Sequence, residues 1–173
     1  VPAGADTGFE PTPALLDAVV SEHGPLHGLV LASPANPTGS MVDRTRLAAL
    51  VDWCREHDVR LISDEIYHGI TYPADPSALG ARGTSAWELD RTTVVVSSFS
   101  KYWGMTGWRL GWALVPDDLR PAVDALAGNV ALCPPTPGQL SAIGAFTDAS
   151  YAEADARVAA LAGTRAGLLA ELP

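Results

Sequence analysis

Thr92-Thr93-Val94-Val95-Val96-Ser97 runs directly into Ser98-Phe99-Ser100-Lys101-Tyr102-Trp103-Gly104-Met105-Thr106-Gly107-Trp108-Arg109-Leu110-Gly111. The first six residues are uncharged and mostly β-branched, so they read as a buried strand rather than a helix. Residues 98–107 then form a polar turn that contains glycine. Working outward, Leu29-Val30-Leu31-Ala32 and Val59-Arg60-Leu61-Ile62-Ser63 are earlier strands of the same kind, and Leu110 to Val115 is a fourth. Helix signals lie between them. Thr12 is an N-cap and Pro13 the first residue of a helix that Gly24-Pro25 ends. Asp43 caps a second helix, with Leu47, Leu50, Val51 and Cys54 at helical spacing. Residues 73–90 read as a loop with little regular structure. Pro116-Asp117 opens a helix to about Ala127. Pro134 to Gly138 breaks the chain, and two helices follow from Gln139, the second from about Tyr151 to Leu169. Strands alternating with helices predict an α/β domain, a three-layer α/β/α arrangement with a mainly parallel sheet.

The bulk properties suit that fold. A length of 173 residues is roughly one domain on a prior of about 100–200 residues. The chain is 47% hydrophobic and only 18% charged, enough for a core and unlike a disordered acidic tail. A formal net charge of -9 argues against nucleic acid or an anionic membrane surface as a partner. No apolar run reaches the roughly 18 residues of a membrane span, and no signal peptide is recognisable. Val1-Pro2-Ala3-Gly4 reads as an internal boundary or a processed end. Cys54 and Cys133 form neither a disulfide framework nor a metal set, and a reducing cytoplasm is the simplest home. Of the 11 basic residues, Lys101 is the only lysine. The scarcity of lysine fits a compositional bias towards Ala, Gly, Pro, Asp and Arg. The bias does not explain where the one lysine stands.

Three polar clusters follow the first three strands. In open parallel sheets the ligand lies beyond the carboxyl ends of the strands, so the clusters are expected to converge. The third holds Lys101, two hydroxyls before it and Arg109 eight residues on. Hydroxyls and a guanidinium suit a phosphate, and an amine beside a phosphate site suits a Schiff base with an aldehyde. Lys101 alone would be an ordinary loop lysine. The second cluster is Ser63-Asp64-Glu65-Ile66-Tyr67. A carboxylate there could be a metal ligand, a helix cap or a general base, but no His or Cys pair lies at metal-ligand spacing. The first is Ala35-Asn36-Pro37-Thr38-Gly39, which by itself is only a turn signal.

Together the clusters carry a resemblance. Ser98 to Gly111 resembles the lysine-attachment signature of the class I and II aminotransferases, the fold-type I enzymes that use pyridoxal 5′-phosphate (PLP). Asp64-Glu65-Ile66-Tyr67 resembles their Asp-Glu-x-Tyr segment, and Asn36-Pro37-Thr38-Gly39 their Asn-Pro-x-Gly loop. The order matches, with 28 residues from Asn36 to Asp64 and 37 from Asp64 to Lys101. The resemblance implies that Lys101 forms an aldimine with PLP and shuttles the proton between the substrate α-carbon and the cofactor. It implies that Asp64 pairs with the pyridinium nitrogen, keeping it protonated as an electron sink. Tyr67 and Asn36 would bond the 3′ oxygen. Ser98 and Arg109 would bind the phosphate, with Ser100 a further residue of that region. Glu65 is left as structural, and His68 as a packing or capping residue. The five tryptophans are expected in the core or an interface, and Cys133 to Gln139 near a partner subunit's site.

The implied activity is transfer of an α-amino group between an amino acid and a 2-oxo acid, by a homodimer. Residues 1–150 would be the PLP-binding segment of the large domain. Residues 151–173 would be a long helix leading towards a small domain. The same residues also serve C–S lyases of this fold and aminotransferase-like sensor domains of transcription regulators.

Overall fold

The computed structural model describes residues 1–75 and 77–172. A short turn of helix at Ala5–Thr7 precedes helix α1 (Pro13–His23). Strand β1 (Gly28–Ala32), helix α2 (Arg44–Glu56), strand β2 (Arg60–Asp64) and the one-turn helix α3 (Ala86–Leu89) follow. Then come β3 (Val94–Ser98), β4 (Gly111–Leu114), α4 (Arg120–Val130), α5 (Thr136–Ile143) and α6 (Asp148–Glu171). The sheet order is β1-β2-β3-β4. The first three strands are parallel and β4 runs antiparallel to β3. This is the expected α/β fold with a mainly parallel sheet.

Local chemistry explains the helix ends. The Thr12 hydroxyl accepts from the Leu15 amide, Pro13 occupies the first helical position, and Gly24 closes α1 at φ 88°. The Asp43 carboxylate accepts from the amides of Thr45 and Arg46, at 2.8 and 2.9 Å. Such caps satisfy donors that have no partner within the helix.

Strand alternation then sorts the faces. Leu29, Leu31, Leu61 and Val95 pack against Leu16 of α1 and Leu47, Leu50, Val51, Trp53 and Cys54 of α2. The register pairs Leu31 with Ser63 and Ser63 with Val95, so this covered row runs straight across three strands. The rows between them, Val30-Ile62-Val94 and Ala32-Asp64-Val96, belong to the opposite face. That face is open in this chain: Val30 is 71% exposed. A second cluster forms around Phe99, Ala142 and Ala145, flanked by Trp103, Met105 and Leu110. It seats the polar turn after β3 on α5 and on the short turn of helix Gly144–Phe146 that follows it. The 24 residues of α6 bury only Ala154. Both cysteines are free, Cys54 buried and Cys133 exposed.

Three elements depart from the sequence reading. Pro116 does not open a helix directly; a turn bonded to its carbonyl comes first, and α4 begins at Arg120. Pro137 does not break the chain but lies in the first turn of α5, where a missing N–H removes no helical bond. The loop of 73–90, residue 76 aside, contains α3, held by a capping box between Ser85 and Glu88. Among the tryptophans, Trp53 is buried, whereas Trp108 and Trp112 are exposed.

Candidate active site

The carboxyl ends of β1, β2 and β3 lie side by side, so the three polar clusters meet there. The loop after β1 folds back on itself. The Ala35 amide donates to the Ser40 carbonyl and the Gly39 amide to the Ala35 carbonyl, both at 2.8 Å. The bonds Ser33–Pro34 and Asn36–Pro37 are cis. The Ser33 hydroxyl accepts from the Val42 amide, and the Ser33 amide donates to the Asp64 carbonyl. The loop is thereby tied to the end of β2. From this position the Asn36 amide donates to the Tyr67 hydroxyl at 3.3 Å.

Asp64 is the last residue of β2 and lies in the open-face row. One of its oxygens accepts from the Ile66 amide at 3.1 Å, which turns the chain out of the strand. Tyr67 sits in the following turn. The Lys101 amine lies 5.5 Å from the centre of the Tyr67 ring. Lys101 is held in a turn closed by Gly104 N–H to Lys101 O at 3.0 Å and Met105 N–H to Phe99 O at 3.1 Å. Phe99 N–H to Leu110 O then leads into β4. Asn36, Tyr67 and Lys101 thus form one connected set, and Asp64 ends the strand from which the Tyr67 turn departs.

Ser98 pairs in register with Gly111, two residues beyond Arg109. The Ser98 hydroxyl accepts from the Ser100 amide at 3.0 Å. Arg109 takes a left-handed backbone, φ 54°, and donates to the Thr106 carbonyl at 2.9 Å. Ser98 and Arg109 therefore stand at adjacent strand ends. Among the described residues no hydrogen bond joins either side chain to the Asn36–Tyr67–Lys101 set. Ser100 is buried, Ser98 half-buried.

A second tier lies below. Buried Glu65 accepts from the Ala86 amide at 2.8 Å, and its other oxygen is 3.5 Å from His68 Nδ1. The loop carrying Gly83 closes over His68. Gly83 has φ 105°, and a Cβ there would come within 2.4 Å of the imidazole, so only glycine allows this approach. Glu65 and His68 are thus paired with each other under this loop. Burial pushes the His68 pKa down, although the charges of Glu65 and Glu88 oppose the shift. The unfolded chain therefore binds this proton more readily than the folded one. Stability attributable to His68 is full above its unfolded pKa of about 6.5 and falls as the pH drops below it. His68→Gln should flatten the acid-side decline between about pH 6.5 and 5 in urea titrations repeated across that range. An unchanged slope would remove His68 as its source.

The sequence reading missed Tyr102. Its hydroxyl donates to Asp155 at 2.6 Å and accepts from Arg82 at 2.9 Å. Arg82 also pairs with Asp155 at 2.7 Å. No sequence motif joins these three residues. Glu88, by contrast, was detectable, since Ser85-x-x-Glu88 is a capping-box pattern.

Beside the set is a cavity of about 450 Å³, lined by Asn36, Pro37, Met41, Tyr67, Tyr72 and Arg165 among others. The Arg165 guanidinium stacks 5.5 Å from the centre of the Tyr72 ring. No group of three or more His, Cys, Asp or Glu residues placed to hold a metal occurs among the described residues. None of the described helices is long and apolar enough to cross a membrane. The assembled groups are an amine, a carboxylate, a phenol bonded to a carboxamide, and a hydroxyl near a guanidinium. These fit PLP: an amine for its aldehyde, donors for its ring oxygen and phosphate, and an anion for its ring nitrogen. Asp64 suits the last role, because among the described residues it takes part in no ion pair and has one oxygen committed to a backbone amide.

Comparison with known proteins identifies the family. The family model described as aminotransferase class I and II matches residues 5–173. The valine–pyruvate aminotransferase of Mycobacterium tuberculosis is 50% identical over 169 residues, which is 98% of this chain and 42% of that protein. The aspartate aminotransferase of Bacillus subtilis is 34% identical, over 82% of this chain and 35% of its own length. In three dimensions the chain is similar to a crystal structure of an aminotransferase from Mycobacterium tuberculosis, with a TM-score of 0.88 and 49% identity. That match covers 96% of this chain and 41% of the other. A mutant aspartate aminotransferase of Thermus thermophilus superposes with a TM-score of 0.85 at 29% identity, over 96% of this chain and 44% of its own. The chain therefore spans well under half the length of these relatives.

Proposed function

Because this chain belongs to the class I and II aminotransferase family, we propose that it carries the lysine-bearing part of a PLP-dependent aminotransferase site. The observation behind this reading is the connected set Asn36–Tyr67–Lys101, together with Asp64 at the end of β2, where three parallel strands end side by side. When bound, PLP supplies an aldehyde for amines and a protonated ring that withdraws electrons from the substrate α-carbon. The side chains supply the rest. Lys101 Nζ holds the cofactor in place and carries a proton to and from the substrate α-carbon. The Asp64 carboxylate keeps a proton at the ring nitrogen. The Tyr67 hydroxyl and Asn36 amide, already bonded to each other, hold the 3′ oxygen. Ser98 and Arg109 hold the phosphate by neutral and charged donors, with buried Ser100 backing Ser98 through its amide.

The proposed substrates are an amino acid and a 2-oxo acid. Similarity to the valine–pyruvate aminotransferase supports valine and pyruvate as the first pair to test. Residues 1–150 serve as the PLP-binding segment, and residues 151–173 as the helix leading to a small domain. We place the whole protein in the cytoplasm as a homodimer, on the family's pattern. Neither nucleic acid nor membrane is a partner in this reading, in keeping with the net charge of -9.

The test uses the single lysine. The protein is incubated with PLP, reduced with borohydride and digested, and the modified peptide is found by mass spectrometry. A pyridoxyl label on Lys101, suppressed by prior addition of inorganic phosphate, is the expected result. A folded protein whose Lys101 stays unlabelled would overturn the proposal.

A further inference from the structure

We infer that Tyr102, Arg82 and Asp155 form a positioning hub. It fixes where the Lys101 amine stands over Tyr67 and couples that position to helix α6. The inference rests on the reading of Lys101 as the PLP-binding lysine.

The argument begins with chain direction. Tyr102 follows Lys101 immediately. Its ring is buried, whereas the Lys101 side chain is only half-buried. Anchoring one of these neighbours limits how far the backbone of the other can turn. The anchor is unusually complete. The Tyr102 hydroxyl donates a hydrogen bond to Asp155 and accepts one from Arg82, and Arg82 and Asp155 close the triangle as an ion pair. Charge-assisted bonds of this kind are short and directional. Desolvation, then the bond to Asp155, pushes the Tyr102 pKa up. The paired Arg82 holds Asp155 below the usual carboxylate range. The hub therefore stays neutral-tyrosine, anionic-aspartate and cationic-arginine at ordinary pH.

The ring body does a second job. It packs against Gly69, where a Cβ would lie 2.7 Å from the Tyr102 ring. Gly69 is two residues after Tyr67, whose ring faces the Lys101 amine. One side chain thus wedges between the lysine turn and the tyrosine turn and sets their separation. Arg82 comes from the loop whose carbonyl at the same residue accepts from the Gly69 amide at 2.8 Å. Asp155 comes from the second turn of α6.

The same part of α6 braces the lysine turn elsewhere. Tyr151 lies against Tyr102 and Trp103, with ring centres 6.2 and 6.0 Å away. The Arg157 guanidinium lies against Gly104, 3.7 Å from where a Cβ would be. A shift of α6 must therefore pass into the turn that carries Lys101. Residues 82, 102 and 155 are positioning residues, since their side chains bond to one another and not to the Asn36–Tyr67–Lys101 set.

The test compares the protein with Tyr102→Phe, Asp155→Asn and the double variant. Phenylalanine keeps the wedge on Gly69 and removes both hydroxyl bonds. The readout is the rate of pyridoxyl labelling of Lys101 under PLP and cyanoborohydride, followed against pH. The folded fraction is monitored in parallel by urea titration. Each single variant should label about tenfold more slowly, as expected for displacement of a reacting group by a fraction of an ångström to an ångström. The pH profile should move with the rate, while more than nine-tenths of the protein stays folded. The double variant should be no slower than the worse single one, because both act through one triangle. Variants that label at the parent rate, or whose slowing only tracks the unfolded fraction, would overturn the hub. If the unmutated protein fails to label at Lys101, the PLP reading itself falls, and the hub with it.

Discussion

Lys101→Ala is expected to remove pyridoxyl labelling of every internal peptide, leaving only the α-amine to react, and to lower aminotransferase turnover by about 10⁴-fold or more, the upper end of what a positioned acid–base group contributes. The size of the loss follows from the composition as much as from the site. The other ten basic side chains are arginines, whose guanidinium groups stay protonated at any working pH and make poor nucleophiles. No neighbouring amine can take over. The fold should survive, because Lys101 is only half-buried and takes part in no ion pair among the described residues. Its unfolding free energy should stay within about 0.5 kcal/mol of the parent, as for surface changes away from the core. Single-turnover rates with an amino acid, alongside urea titration, check both halves. A variant that keeps more than a hundredth of the parent rate would exclude Lys101 as the essential amine.

Asp64→Asn should be less total and more informative. The carboxamide oxygen can still accept from the Ile66 amide, which is the contact that turns the chain out of β2. The exchange therefore leaves the fold and the labelling of Lys101 intact. It removes the negative charge at the strand end. Loss of one preorganised electrostatic partner costs on the order of 10²–10³ in turnover. We expect a fall of that size in kcat with PLP still attached at Lys101. An Asp64→Asn variant working at the parent rate would show that the carboxylate does not hold the ring proton.

Much of this site could be read from sequence because its logic is local plus topological. Thr12, Pro13 and Asp43 act on their own helix ends, so short windows identify them. Asp64 ends a strand and Asn36 and Lys101 each follow one, and parallel strands bring their carboxyl ends together by construction. The strands themselves lie within two residues of where the apolar runs placed them. The antiparallel course of β4 was not apparent. It depends on the Phe99–Leu110 closure, which returns the chain alongside β3 instead of crossing over. Pro137 misled because proline ends a helix from inside but is tolerated at its start. The Arg82–Tyr102–Asp155 triangle joins residues 20 and 53 positions apart. Propensity and spacing carry no signal for such a contact.

Helix α6 is fixed near its start and nearly unburied thereafter. From Asp155 to Glu171 it extends about 24 Å at 1.5 Å per residue. Ten residues past Asp155, however, Arg165 stacks on Tyr72 beside the cavity that Asn36 and Tyr67 line. The helix is therefore a strut with two footings, one on the lysine turn and one on the cavity wall, about 15 Å apart at 1.5 Å per residue. A rod of fixed length between these footings gauges the gap between the wall and the turn.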